Sequence, residues 1–133
     1  MANRNINENG RTRGELETAI RNAVIRFEQE FMGRGPTDVR AFILQDIIVV
    51  RLKGVLTPAE RQLAKSPDGV GMVKQMRENL IGQGRDKLCK EIGEITGVKT
   101  AALFTDIDAR IGERILVFTL EKDLESRLWK QKS

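Results

Sequence analysis

The chain has 133 residues, of which 40% are hydrophobic and 32% charged, and its formal net charge is +4. This size and balance are typical of one soluble domain with a single core. The absence of histidine and tyrosine, together with a single cysteine (Cys89), excludes histidine-based catalysis, His or Cys-rich metal sites and internal disulfides.

Residues 1–13 are predicted to form a disordered polar tail, and residues 14–133 a single domain. The tail lacks the apolar segment of a signal peptide. The longest apolar run, Ile47 to Val50, is far shorter than the roughly 20 residues that cross a bilayer. We therefore expect a cytoplasmic protein without membrane insertion. The basic residues of the two ends favour a role in solubility over nucleic-acid binding.

The first predicted element is a helix from about Gly14 to Met32. Its apolar residues recur at helical spacing and form one stripe: Leu16, Ile20, Ala23, Val24, Phe27 and Phe31. Gly33 can end this helix, and Pro36 prevents its continuation. The segment with Gly35 and Pro36 therefore predicts a turn. The alternative is a loop whose backbone approaches a ligand.

Two apolar, β-branched runs follow, at about Val39 to Leu44 and Ile47 to Lys53. They predict a β-hairpin with Gln45 and Asp46 in its short loop. The second run is apolar on both faces for four residues, which indicates a buried central strand. Near the end of this second run, the side chain of Arg51 is predicted to point outward.

A helix-start signal then appears at Thr57. Thr57 can cap the helix, Pro58 suits its first position, and Glu60 can complete a capping box. This structural role accounts for all three residues. The alternative is that the helix start binds an anion.

A longer helix is predicted from about Asp68 to Thr96. Gly82 and Gly84 interrupt its middle and indicate a kink or a close helix crossing. Arg77 is predicted to lie off the apolar stripe, solvated or paired with a carboxylate such as Glu60. The alternative is that Arg77 binds an anionic ligand.

A second hairpin is predicted from strands at about Val98 to Thr105 and Glu113 to Leu120. The connection between them contains Asp106 and Asp108, which favours an Asx-turn. A divalent-cation site or an acid–base pair is the alternative, although the rest of an EF-hand loop is missing.

The chain is then predicted to end in a short amphipathic helix. It starts near Lys122, with Leu124 and Leu128 facing inward. Trp129 is expected to face inward as well or to lie exposed at an interface.

The element order is therefore α-ββ-αα-ββ-α. It predicts an α+β domain with a mixed or antiparallel sheet of about four strands and helices on one face. The second strand is too apolar for a solvated outer face, so we expect a homodimer that covers it.

Several stretches, taken in order, resemble the MpsC-like domain family, which is named for a component of a sodium-translocating, membrane-potential-generating system. The resemblance covers about Glu15 to Leu120. It rests on the following segments: Gly33-Arg34-Gly35-Pro36, the apolar hairpin, Leu56-Thr57-Pro58-Ala59-Glu60, Val73-Lys74-Gln75-Met76-Arg77, Thr96-Gly97-Val98, Thr105-Asp106-Ile107-Asp108 and Val117-Phe118-Thr119-Leu120.

The resemblance implies a small accessory protein without an established catalytic residue set. It would serve a membrane system that supports membrane potential or inorganic-carbon uptake, and a transporter subunit would be its partner. Neither a cofactor nor a metal is expected. The positions that match the family and are candidates for a ligand or partner site are Gly35, Pro36, Thr57, Glu60, Arg77, Asp106 and Asp108.

The leading hypothesis is thus a non-enzymatic, homodimeric, cytoplasmic accessory or regulatory protein. The second hypothesis is a small-molecule or anion-binding module built on Thr57, Glu60 and Arg77. It requires these side chains to converge on one pocket with Arg77 unpaired. The third hypothesis is nucleic-acid binding through the basic tails, with the steep salt dependence that backbone binding entails.

Overall fold

A computed structural model describes residues 11–128 of the chain. Its elements are α1 (Arg13–Met32), β1 (Asp38–Leu44), β2 (Ile47–Lys53), α2 (Pro58–Leu63), α3 (Pro67–Thr96), β3 (Thr100–Asp108), β4 (Glu113–Leu120) and a single 3₁₀ turn (Glu125–Arg127). The predicted α+β class and element order are confirmed, with the last helix reduced to the 3₁₀ turn. Most of the predicted tail, and Trp129 with its predicted role, lie outside the described residues.

The four strands form one antiparallel sheet in the order β1-β2-β4-β3. The two hairpins are joined within the chain because β2 pairs with β4, with Val49 opposite Val117. The apolar β2 is therefore a central strand, as its sequence predicts. Of the two predicted alternatives, a mixed or an antiparallel sheet, the structure shows the antiparallel one.

The core lies between one sheet face and the helices α1 and α3. Strand residues alternate, so that Ile48 and Val50 of β2 and Phe118 of β4 point inward. They belong to one apolar cluster with Ile20 of α1 and Ile92 of α3, all of which are fully buried. Leu124 and Leu128 are also buried, as predicted.

The two long helices approach closely at Gly84. A Cβ atom on Gly84 would lie 2.5 Å from Cε1 of Phe27 and 2.9 Å from Cζ of Phe31. These two rings stack with their centroids 4.7 Å apart. The prediction of a close crossing is confirmed at Gly84, whereas Gly82 has open space around its α-carbon.

Two predicted boundaries differ from the structure. Strand β3 extends to Asp108, so Asp106 and Asp108 belong to a strand and not to its connection. The ladder continues because Asp108 still pairs with Glu113. At the other end, Thr12 caps α1 and Arg13 begins it, ahead of the predicted domain boundary. Within residues 11–128, no helix is long and apolar enough to cross a membrane.

Replacing Gly84 with alanine should lower the free energy of unfolding by about 1–3 kcal/mol, because the new methyl group overpacks the contact with Phe27. Replacing Gly82 with alanine is the matched control in the same helix. It should raise stability by about 0.5–1 kcal/mol, because alanine favours the helix and meets no neighbour. Urea denaturation of both variants tests this, and equal effects would contradict a close crossing at Gly84.

Candidate functional site

The start of α2 carries the predicted capping box. The Thr57 hydroxyl accepts a hydrogen bond from the Glu60 backbone N–H at 3.1 Å, and the Glu60 carboxylate accepts one from the Thr57 backbone N–H at 2.8 Å. Pro58 occupies the first turn, where its missing N–H has no cost. The motif thus sets the direction in which Glu60 leaves the helix.

That direction leads to Arg77 of α3, which is fully buried. Its Nε and Nη2 atoms donate to the two oxygens of Glu60, at 2.9 and 2.6 Å. Nη2 also donates to the Val55 carbonyl at 2.7 Å, and Nη1 to Glu28 Oε1 at 3.4 Å. Arg77 therefore connects α3 to α2, to α1 and to the segment that follows β2.

The predicted position of Arg77 off the apolar stripe is wrong. The buried face of α3 includes Val73, Arg77, Ile81 and Leu88, so the arginine occupies the centre of that face. Met76, its neighbour, is 44% exposed instead. The pairing with Glu60 that the sequence suggested is present, but it lies in the interior and not in solvent.

Two further charged residues complete the buried cluster: Glu28 of α1 and Arg114 of β4, each 1% exposed. Arg114 donates through Nη1 to the Thr105 hydroxyl at 2.8 Å. Among the described residues, its Nε and Nη2 atoms and the Glu28 Oε2 atom have no hydrogen-bond partner. We call Glu28, Glu60, Arg77 and Arg114 the buried charge cluster.

The two carboxyl groups of the cluster experience opposite effects. Burial raises the pKa of Glu28, and the positive charges of Arg114 and Arg77 offset this only in part. Burial also disfavours ionised Glu60, but hydrogen bonds from Arg77 and the Thr57 backbone outweigh it and lower the pKa of Glu60. Burial lowers the pKa of Arg114. The cluster therefore holds one firmly ionised carboxylate and one that retains its proton more readily.

Sequence reasoning missed Glu28 and Arg114, although both lie on predictable buried faces. Glu28 is four residues after Val24 and eight after Ile20, on the apolar side of α1. Arg114 alternates inward with Leu116 along β4. Periodicity could have found both residues if their charge had not argued against burial.

Gly35 and Pro36 lie in the connection between α1 and β1 and border the cluster. Arg34 of this connection donates to the Leu56 carbonyl at 3.1 Å, next to Val55, whose carbonyl accepts from Arg77. Gly35 lies against Gln29, because a Cβ atom on it would be 3.4 Å from that side chain. The segment thus places backbone and Arg34 beside the cluster without adding a side chain to it.

Asp106 and Asp108 lie elsewhere, at the exposed end of β3. Asp106 accepts from the Ile107 N–H at 2.8 Å and pairs with Lys74 at 3.1 Å. Asp108 accepts from the Arg110 N–H at 3.0 Å, which is the predicted Asx-turn. These backbone hydrogen bonds, first among several contacts, lower the pKa of both carboxyl groups.

The two aspartates line a groove of about 800 Å³ between the start of α3 and the β3–β4 connection. They share no site with Arg77. The described residues contain no group of three or more His, Cys, Asp or Glu side chains that could hold a metal ion. The groove therefore has a mixed charged lining, with Lys65, Lys74 and Arg110 beside the aspartates.

The outward face of the sheet, opposite the helices, carries a continuous apolar row. Phe42, Val49, Val117 and Phe104 occupy paired register positions on β1, β2, β4 and β3. Phe42 is 50% and Phe104 62% exposed, and the two valines are half-buried. We call these four residues the apolar row. Single exposed apolar residues are common on soluble proteins, whereas a contiguous set typically marks an interaction surface.

Comparison with known proteins identifies the family. The family model described as "Na⁺-translocating membrane potential-generating system (MpsC)" matches residues 12–122. The chain belongs to the MpsC family. The matched span contains the buried charge cluster and the apolar row, and it confirms the resemblance that the motifs indicated.

Two relatives from Bacillus subtilis (strain 168) share most of the MpsC-family chain. The uncharacterized protein YbcI is 40% identical over 120 residues, which is 90% of this chain and 97% of YbcI. The uncharacterized protein YrhF is 29% identical over 108 residues, which is 80% of this chain and 88% of YrhF. No solved structure matches the chain.

Replacing Arg77 with methionine should lower the free energy of unfolding by about 3–5 kcal/mol, because it leaves Glu60 and Glu28 buried without their cation. Arg26, whose exposed side chain pairs with Glu91 at 2.6 Å, provides the control. The same replacement there should cost less than about 1 kcal/mol. Chemical denaturation compares the two, and a loss below about 1 kcal/mol for Arg77→Met would contradict its central role.

The Glu28→Gln variant should gain stability relative to the parent as pH rises from about 4 to 7. Because the pKa of Glu28 is raised in the folded state, this carboxyl group keeps its proton in the folded parent above about pH 4.3 more than it does in the unfolded chain, and its contribution to stability is lost as pH rises to the folded pKa. Glutamine removes this loss.

Across this pH range, the difference in unfolding free energy between variant and parent should change by about 1.4 kcal/mol for each pH unit by which the pKa of Glu28 is raised. Unfolding free energies of both proteins, measured across this pH range, test the prediction. The other carboxyl groups titrate in both proteins, so the comparison isolates Glu28 together with its charge interactions with neighbours such as Glu60. A difference that stays constant with pH would contradict it.

Proposed function

We propose that this MpsC-family protein is a non-enzymatic, cytoplasmic accessory or regulatory protein. It acts as a homodimer in support of a membrane system for ion or inorganic-carbon transport. The observation that carries the proposal is the apolar row, a contiguous surface suited to protein association. The family description, which concerns a Na⁺-translocating system that generates membrane potential, supplies the biological setting.

The internal pairing of the polar residues supports a role without catalysis. Arg77 and Glu60, the strongest chemical candidates, bind each other and the protein backbone in the interior. Thr57 contributes to a helix cap. Such groups stabilise the fold and position elements, and they present neither a nucleophile nor a general base to a substrate.

The alternative, an anion-binding module built on Thr57, Glu60 and Arg77, has less support. An anion would need unpaired donors. Each of the three guanidinium nitrogens of Arg77 already donates to a carboxylate or a carbonyl. Nucleic-acid binding through the tails remains a hypothesis, since most of both tails lies outside the described residues.

Deleting the gene in its own organism should lower membrane potential, as reported by a voltage-sensitive dye, and the uptake of labelled bicarbonate. The parent gene should restore both. The gene with Arg26→Met, the exposed-arginine control of the stability comparison, should restore both as well. The tagged protein, purified from gently solubilised membranes, should carry a stoichiometric transporter subunit identified by mass spectrometry. Normal potential and uptake in the deletion strain, with no membrane protein in the eluate, would contradict the proposal.

A further inference from the structure

The outward sheet face has an uneven distribution of charge at one end. Next to the apolar row, the β1–β2 half presents three bases and one acid: Arg40, Arg51, Lys53 and Asp38. The β4–β3 half presents three acids at the same end of the strands: Glu113, Asp106 and Asp108. One half of the face is therefore basic and the other acidic, and the apolar row crosses both halves.

We propose that a second copy of this chain covers this face, with a two-fold axis that runs parallel to the strands between β2 and β4. The inference rests on the homodimer of the proposed function and specifies its geometry. Rotation about this axis sets β1 of one copy against β3 of the other, and β2 against β4, at the same level along the strands. Each basic half then faces an acidic half.

The register specifies which residues meet in this arrangement. Phe42 faces the partner's Phe104, because both lie in the apolar row at the outer strands. Arg40 faces the partner's Asp106 at the next outward level, and each such pair occurs twice by symmetry. The row as a whole brings the valines together in the middle and the phenylalanines at the two sides, with charge pairs at the next level. Apolar contacts flanked by charge pairs are usual in a specific interface.

Two further facing pairs follow at the charged end. Lys53 faces the partner's Glu113, which is favourable. Asp38 faces the partner's Asp108 at the outer corner, which is an unfavourable pair. Each of these aspartates also lies near an arginine of its own chain, Arg40 and Arg110 respectively.

A two-fold axis perpendicular to the strands fits less well. It would lay the charged end of one sheet on the apolar end of the other, so that Leu44 would cover Asp38 of the second copy and Ile47 would cover its Lys53. Charges would then lose water without gaining a partner of opposite sign. The parallel axis avoids most of this cost, because the apolar row meets itself and both Arg40 and Lys53 meet an acid, whereas Arg51 meets Ile115.

The area of the face is compatible with a dimer. Four strands spaced about 4.8 Å apart and eight residues long span roughly 19 by 27 Å. Two such faces bury about 1,000 Å² together, which is near the lower limit of specific interfaces. We therefore expect a dimer that dissociates at micromolar concentration.

Sedimentation velocity of the purified full chain from about 1 to 100 μM should show a monomer–dimer equilibrium. The Phe104→Glu variant should raise the dissociation constant at least about 30-fold, because it places a charge in the apolar row against the partner's Phe42. Its unfolding temperature should be unchanged at concentrations low enough for the parent to be monomeric, since Phe104 is 62% exposed in the single chain. Ile111, which is 67% exposed and lies off the face, provides the matched control through Ile111→Glu.

A monomer throughout this concentration range would overturn the proposal. A dimer that Phe104→Glu leaves intact, or that Ile111→Glu weakens equally, would overturn it as well.

Charge reversal tests the direction of the axis. Arg40→Asp and Asp106→Arg should each weaken the dimer, because like charges then face each other across the interface. An equimolar mixture of the two variants should form a heterodimer, since the Asp–Arg and Arg–Asp pairs are both complementary. The double variant should associate as the parent does.

If neither the mixture nor the double variant recovers association, the proposed axis is wrong. The loss of the Lys74 pair of Asp106 within the chain cannot mimic this recovery. These measurements use the purified protein alone. The dimer can therefore be absent while a membrane partner still binds, and the dimer can form while no membrane partner is found.

Discussion

The buried guanidinium of Arg77 is the constraint on which the arrangement of the helices depends. A charge in the interior is tolerated only when its hydrogen bonds and its countercharge are in place. Here Glu60 supplies both oxygens, Val55 a carbonyl and Glu28 a further oxygen. These partners come from α1, α2 and the segment after β2, and Arg77 itself from α3, so a shift of any one element would leave a buried charge without part of its pairing.

The capping box links this interior contact to local sequence. Because Thr57 and Glu60 hold each other at the start of α2, the Glu60 carboxylate reaches Arg77 already positioned. The short helix would otherwise have little to hold it, since Glu60 is its buried residue. A signal for helix initiation thus also positions one half of an ion pair. The capping box therefore starts the helix locally and also contributes a contact to the tertiary structure.

Charged residues usually lie on the surface and aromatic residues in the interior, and parts of this protein show the reverse. Within residues 11–128, four charged side chains lie in the interior, whereas the outer sheet face exposes Phe42 and Phe104. A monomer gains nothing from an exposed aromatic pair at matching register, but a self-association surface does. The interior charges specify how the helices pack, and the outer face is available for association.

Local patterns predicted the hairpins and the capping box, because each depends on neighbouring residues or on a period of two or 3.6. The glycines of α3 predicted a kink or a close crossing at Gly82 and Gly84, and the structure decided for a crossing at Gly84. Periodicity failed for the burial of Arg77, which was placed off the apolar stripe, solvated or paired with a carboxylate such as Glu60. Its partners are 17 and 49 residues away in the chain. A local pattern can suggest a candidate such as Glu60, but it cannot show that the fold brings Glu28 and Glu60 together around a buried arginine.

By itself, the sequence determined the class of fold, the order of elements, the family and the exclusion of histidine chemistry. These follow from composition, from motif order and from short-range spacing. Only the tertiary structure decided that Glu60 and Arg77 are internal partners, that Asp106 and Asp108 lie apart from them, and that the apolar row crosses all four strands. The physical reason is that burial and pairing depend on which distant elements meet, and β2 pairs with β4 across more than 60 residues of chain.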